Sequence, residues 1–142
     1  MTELVFGGFG GQGVLLGGQV LAHIAMGQDY QVTWMPAYGP TMRGGTANCV
    51  VKYDNKIISN PSLEEIDILI AMNEPALLKY QEFVVPGGLI LINANTTKER
   101  TISRSDVRAE FIPCVEMAAA EKNLRGANFV MLGAAVKLRD LF

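Results

Sequence analysis

"IDILIAMNEPALLKYQEFVVPGGLILINA", residues 66–94, decides the fold class. "IDILIAMN" (66–73) is a near-continuous apolar run, the pattern of a strand buried on both faces of a parallel sheet. Asn73 is a candidate helix N-cap, and Glu74 and Pro75 suit a first helical turn, so a helix is predicted to about Phe83. Pro86-Gly87-Gly88 stops it, and "LILINA" (89–94) is the next buried strand. The stretch is a βαβ unit with short connections, whose crossover is expected to be right-handed.

The N-terminal segment repeats the design with more glycine. Leu4-Val5-Phe6 reads as a buried strand and runs into "FGGFGGQGVLLGG" (6–18), where Gly8-Phe9-Gly10-Gly11-Gln12-Gly13 spells G-x-G-x-x-G. A glycine loop between a strand and a helix N-terminus suits an anion, because exposed backbone N–H groups and the helix dipole converge there. Turn geometry is the alternative reason for Gly7 through Gly11. Gly17 and Gly18 lie inside the predicted helix, Gln12 to Met26, and point to a close approach by another element. Gln12, Gln19 and His23 form its narrow polar stripe, and the rest of its girth is apolar enough to need cover from a partner subunit.

Gln31 to Met35 reads as a second strand closed by Pro36. "PAYGPTMRGG" (36–45) is an irregular loop, Thr46 to Tyr53 is a strand, and Asp54-Asn55 turns into Lys56-Ile57-Ile58, a predicted β-hairpin. A dinucleotide site carries an acid at the end of the second strand for the ribose hydroxyls. This strand ends "TWMPAYG" without a carboxylate, which argues against NAD or FAD. In the loop that follows, the Arg43 guanidinium is a bidentate partner for phosphate or carboxylate, with a solvated surface arginine as the plain alternative. Asn73 lies where open α/β sheets bind ligands, although its capping role also accounts for it.

Downstream come a strand over Val107–Ile112, a helix from about Cys114 to Leu124, and a helical pattern from near Asn128 still running at Phe142. The sequence therefore reads as one α/β domain over 1–142, trimmed at its C-terminal end. The expected class is a Rossmann-like, mostly parallel open sheet flanked by helices, with an inserted β-hairpin.

The 142 residues are 49% apolar and 18% charged, which excludes disorder. A net charge of −2 argues against a nucleic-acid surface. Glu3 stands where a signal peptide would be basic, and no apolar run reaches the roughly 20 residues of a membrane span. Cys49 and Cys114 are expected to be buried free thiols of a cytoplasmic protein. His23 has no catalytic partner motif, and no metal, nucleophile-elbow or Walker motif occurs.

Taken together, "GGFGGQGVLLGGQVLAHIA" (7–25), "YGPTMRGGTANCVV" (38–51), "ISNPSLEEIDILIAMNEPALLKY" (58–80) and "VPGGLILIN" (85–93) resemble the gamma subunit or domain of 2-oxoacid:ferredoxin oxidoreductases. Pyruvate, 2-oxoglutarate and 2-oxoisovalerate enzymes belong to that family, and indolepyruvate oxidoreductase is related; the likeness covers most of residues 4 to 133. It implies an α/β domain in a larger complex that oxidatively decarboxylates a 2-oxoacid, makes acyl-CoA and reduces ferredoxin. Thiamine diphosphate and iron–sulfur clusters would sit on partner subunits, and coenzyme A at or near this chain. By the same resemblance Gly10, Gly11, Gln12 and Gly13 would form a phosphate-facing loop. Tyr38, Met42, Arg43, Gly44 and Gly45 would form a second loop near the active site or subunit contact, and Asn73 would line the crevice. An independent NAD(P)-binding dehydrogenase domain and a purely structural scaffold subunit are the competing readings.

Overall fold

The computed structural model describes residues 1–9, 12–38, 46–98, 102–123 and 125–142. Strands β1 (Thr2–Phe9), β2 (Gln31–Tyr38), β3 (Thr46–Asp54), β4 (Ile66–Ala71), β5 (Val84–Asn93) and β6 (Arg108–Ile112) form one sheet in the order β2-β3-β1-β4-β5-β6. β4 is parallel to β1, β5 to β4 and β6 to β5, whereas β3 runs antiparallel to both β1 and β2. The helices are α1 (Val14–Gly27), α2 (Glu74–Tyr80), α3 (Cys114–Ala120) and α4 (Ala127–Arg139), with a 3-10 turn over Gln81–Phe83 after α2. No helix among the described residues is long and apolar enough to cross a membrane.

The apolar runs are continuous because both faces of the sheet are covered. Leu4, Phe6, Ile68, Ile70, Leu89 and Leu91 point to the layer made by α1, α3 and α4. Their alternate neighbours Val5, Leu69, Ile90 and Ile92 point to α2, where Ala76, Leu77 and Tyr80 meet them. A strand period of two thus sorts each run between two cores.

The expected mostly parallel sheet, the β4-α2-β5 unit and the flanking helices are present. The predicted hairpin differs in its strands. β3 pairs with β2 from Gln31↔Asp54 to Tyr38↔Ala47, and residues 56–58 form no strand. Ile57 is 87% exposed. The cause is Lys52 on β3, a fully buried ammonium that must be neutralised. Its Nζ donates to the Asn60 carbonyl at 2.8 Å and to Glu64 Oε1 at 2.6 Å, with Glu3 Oε1 at 3.3 Å. Residues 59–65 therefore fold back over the sheet face to bring these oxygens in, instead of extending its edge.

Other boundaries shift for local reasons. β1 continues through Gly7 and Gly8, so these are strand glycines and not part of a turn. A Cβ on Gly7 would lie 3.1 Å from the Ala76 Cβ, and one on Gly8 would lie 2.9 Å from the Met72 Cβ. Their lack of side chains admits the neighbouring elements. β5 starts at Val84, before the Pro86-Gly87-Gly88 segment. The register jumps from Ile66↔Val84 to Ile68↔Leu89, and Gly87 at φ +81° supplies the left-handed residue of that bulge. α4 ends at Arg139, where Asp140 adopts a left-handed C-cap, so the helix stops short of Phe142. Cys49 and Cys114 are both buried and free.

Candidate functional site

The chain turns from β1 into α1 at the carboxyl end of the central strands, where open α/β sheets place their ligands. Gly13 is the N-cap of α1 at φ 74°, and no side chain caps the helix. Asn128 packs against it and donates from Nδ2 to the Gly13 carbonyl at 2.9 Å. A Cβ on Gly13 would collide with that amide, so glycine is required here by both φ and space. Asn128, 2% exposed, lies in the first turn of α4. Its contact brings the starts of α1 and α4 together.

Between them opens a cleft of about 540 Å³ lined by Gln12, Gly13, Leu16, Met72, Val115, Arg125, Ala127 and Asn128. Gly126 is the N-cap of α4, again without a side-chain cap bond of its own, and neither helix carries an acid in its first turn. Two helix N-termini thus turn their positive dipole ends to one space, with the Phe129 N–H of α4 already donating to Asn128 Oδ1 at 3.0 Å. Arg125 adds a guanidinium that makes no ion pair among the described residues. Leu16, half exposed in the first turn of α1, and Val115 on α3 add apolar surface to the lining. The cleft can hold a ligand with an anionic end and a slender apolar stretch.

Gln12 both lines this cleft and closes the glycine loop. Its Oε1 accepts from the Phe9 N–H at 2.6 Å, and its Nε2 donates to the Met72 carbonyl at 3.2 Å. The backbone adds Gln12 N–H to the Phe9 carbonyl at 3.2 Å. Asn73 follows directly, capping α2 by accepting from the Ala76 N–H at 2.9 Å through Oδ1. Asn73 is 2% exposed, and its Nδ2 has no partner among the described residues.

Of the residues singled out in the sequence, Gln12 and Gly13 meet in the cleft. Asn73 adjoins its Met72 floor, with its own side chain turned to the cap. Tyr38 ends β2 opposite Ala47, on the far side of β3 from β1. Gly10, Gly11, Met42, Arg43, Gly44 and Gly45 lie outside the described residues. Arg125, Asn128 and Val115 were missed because they belong to the chain's last third. The "NANTT" stretch (93–97) carried an unused signal, since four polar residues, two Asn and two Thr, cluster at the end of a buried strand.

Strand order also bears on the nicotinamide reading. The neighbour of β1 is antiparallel β3, so Gly8 faces Ala47 and Phe9 faces Thr46. The carboxyl end of β2 is separated from β1 by a whole strand, and the position that supplies the ribose-binding acid in a dinucleotide fold is absent.

The model of the pyruvate ferredoxin/flavodoxin oxidoreductase family matches residues 3–142. Ketoisovalerate oxidoreductase subunit VorA of Methanothermobacter thermautotrophicus is 40% identical over 131 residues, 92% of this chain and 27% of VorA. The chain thus spans about a quarter of that relative's length. 2-oxoglutarate synthase subunit KorC of Methanocaldococcus jannaschii is 32% identical over 141 residues, 98% of this chain and 75% of KorC. The keto/oxoacid ferredoxin oxidoreductase gamma subunit from Geobacter sulfurreducens superposes with a TM-score of 0.80 at 26% identity, covering 96% of this chain and 76% of that one. 2-oxoglutarate:ferredoxin oxidoreductase from Magnetococcus marinus, solved with 2-oxoglutarate, coenzyme A and succinyl-CoA, shares the fold. Its TM-score is 0.86 at 22% identity, over 96% of this chain and 24% of that one.

Proposed function

The chain belongs to the pyruvate ferredoxin/flavodoxin oxidoreductase family, and from that premise we propose that it is the gamma-type unit of a 2-oxoacid:ferredoxin oxidoreductase. The assembled enzyme converts a 2-oxoacid and coenzyme A to acyl-CoA and carbon dioxide, and the electrons released pass to ferredoxin. Thiamine diphosphate, which would supply the electron sink for decarboxylation, and the iron–sulfur clusters would reside on partner subunits or domains. This chain works inside the complex and not alone. The reaction belongs to the cytoplasm.

Its own contribution is coenzyme A. The observation that carries this reading is the cleft whose lining joins Arg125 and the N-termini of α1 and α4 with the apolar side chains of Leu16 and Val115. Coenzyme A matches in kind: phosphates for the cationic groups, a thin pantetheine arm for the apolar surface. Gly10, Gly11 and Gly13 let the backbone approach the phosphates, and Gln12 holds that loop in shape. Asn73 borders the same crevice. Tyr38, Met42, Arg43, Gly44 and Gly45 form the second loop, at the active site or the subunit contact.

Arg125→Ala in the assembled complex tests the assignment. The KM for coenzyme A rises about tenfold, the loss of one charge-assisted contact, while kcat changes less than about twofold. The KM for the 2-oxoacid stays where it was. An unchanged KM for coenzyme A with Arg125→Ala, and with Arg43→Ala, overturns the reading in favour of a scaffold.

A further inference from the structure

We propose that Asn93, a fully buried residue with no place in the cleft lining, is the positioning residue that couples the glycine loop to the α3 wall of the cleft. The inference rests on the coenzyme A reading above and adds the part that shapes the site.

The Met72 carbonyl is the meeting point. Three side chains from two segments donate to it: Gln12 Nε2 at 3.2 Å, and from the 93–97 stretch Asn93 Nδ2 at 3.1 Å and Thr96 Oγ1 at 3.0 Å. A carbonyl oxygen offers two lone pairs, so three donors exceed its ordinary capacity. The Met72 N–H is also taken, by the Gly7 carbonyl at 2.8 Å. Met72 is thereby pinned on both sides between β1 and β5.

Asn93 is 0% exposed and spends both ends of its amide. While Nδ2 reaches Met72, Oδ1 accepts from the Asn95 N–H at 3.0 Å. Asn95 is then set to hold α3. Its Oδ1 accepts from the Val115 N–H at 3.0 Å and the Glu116 N–H at 3.4 Å, and its Nδ2 donates to Glu116 Oε1 at 3.0 Å. A continuous chain of contacts runs Phe9, Gln12, Met72, Asn93, Asn95, Val115. Its first link joins Phe9 to Gln12 at the entry to α1, and its last holds Val115 of the cleft lining. A buried amide bonded at both ends has one orientation, so moving it moves both walls.

The test uses the assembled complex carrying Asn93→Asp. The introduced carboxylate keeps an acceptor for Asn95 but turns a second acceptor towards the Met72 carbonyl. Near pH 8 the KM for coenzyme A is expected to rise about tenfold, with kcat within about twofold of the parent. Asn95→Ala, at an exposed position, raises the same KM about threefold and carries the test if the first variant fails to assemble. A KM that stays put in the variants while the melting temperature falls overturns the proposal. Arg125→Ala separates the two readings. If that variant leaves the KM for coenzyme A unchanged, the coenzyme A assignment fails. Coupling is then judged by amide exchange: Asn93→Asp must accelerate it both in residues 6–13 and in residues 114–118, and failure in either segment sinks it.

Discussion

Gly18 on α1 lies directly over Cys49 on β3, so that a methyl group at Gly18 would overlap the Cys49 sulfur. One residue back, Gly17 gives the same room to the Phe6 ring. The two glycines let α1 settle onto the sheet at short range, and the sulfur that fills the space donates its proton to the Val14 carbonyl at 3.6 Å.

Gly18→Ala is therefore expected to destabilise the chain by about 2 kcal/mol, although alanine is the better helix former. Gly133→Ala in α4 meets nothing within 4 Å and should stabilise by roughly 0.5–1 kcal/mol. Urea denaturation of both variants checks the contrast. The double variant Gly18→Ala/Cys49→Ala should recover part of the loss.

Burial pushes the Cys49 thiol up from its ordinary value of 9.0 to about 12. As pH rises the unfolded chain loses this proton first, so the group's contribution is intact below about pH 9 and declines from there towards pH 12. The loss is roughly 1.4 kcal/mol per pH unit, on top of whatever the other groups contribute. Stability measured against pH in the parent and in Cys49→Ala should diverge only above about pH 9. The folded protein should also resist thiol alkylation at Cys49 near neutral pH.

Lys52→Met removes the cation between Glu3 and Glu64. Glu3, 1% exposed, is left buried without its ammonium partner. A loss of about 3 kcal/mol is expected, and adding Glu3→Leu should restore part of it because no unpaired charge then remains inside. Chemical denaturation of the two single variants and the double variant measures the coupling.

Asn73→Ala deletes the α2 cap and should lower stability by about 1 kcal/mol, with Asn73→Ser falling between the two. If Asn73→Ala matched the parent in thermal melts, the 2.9 Å bond to the Ala76 N–H would have no energetic weight.

Much of this architecture was legible in local pattern. Apolar runs at 66–73 and 89–94 marked doubly covered strands, because a strand buried on both faces leaves no room for polar alternation. Asn73 with Glu74-Pro75 marked a helix start, because capping is a short-range hydrogen bond. Gly13 at the entry to α1 was readable for the same reason. The hairpin was misplaced because Asp54-Asn55 looks like a turn locally, while the need of Lys52 for the Asn60 and Glu64 oxygens is a tertiary demand. Gly7 and Gly8 resembled turn glycines, and only the approach of Ala76 and Met72 shows them to be strand positions.

The sequence by itself determined the segments, their caps, the glycine-rich turn and the family, since these depend on neighbours a few residues away or on motif order. Tertiary structure alone decided that β3 separates β2 from β1, because pairing order depends on which edges meet and not on any one segment. It also decided where the cleft lies. Asn128 reaches Gly13 across 115 residues of chain, and Gln12, Asn93 and Thr96 converge on a backbone oxygen that any residue at position 72 would carry. A hydrogen bond to a carbonyl leaves no signature in the side chain that bears it.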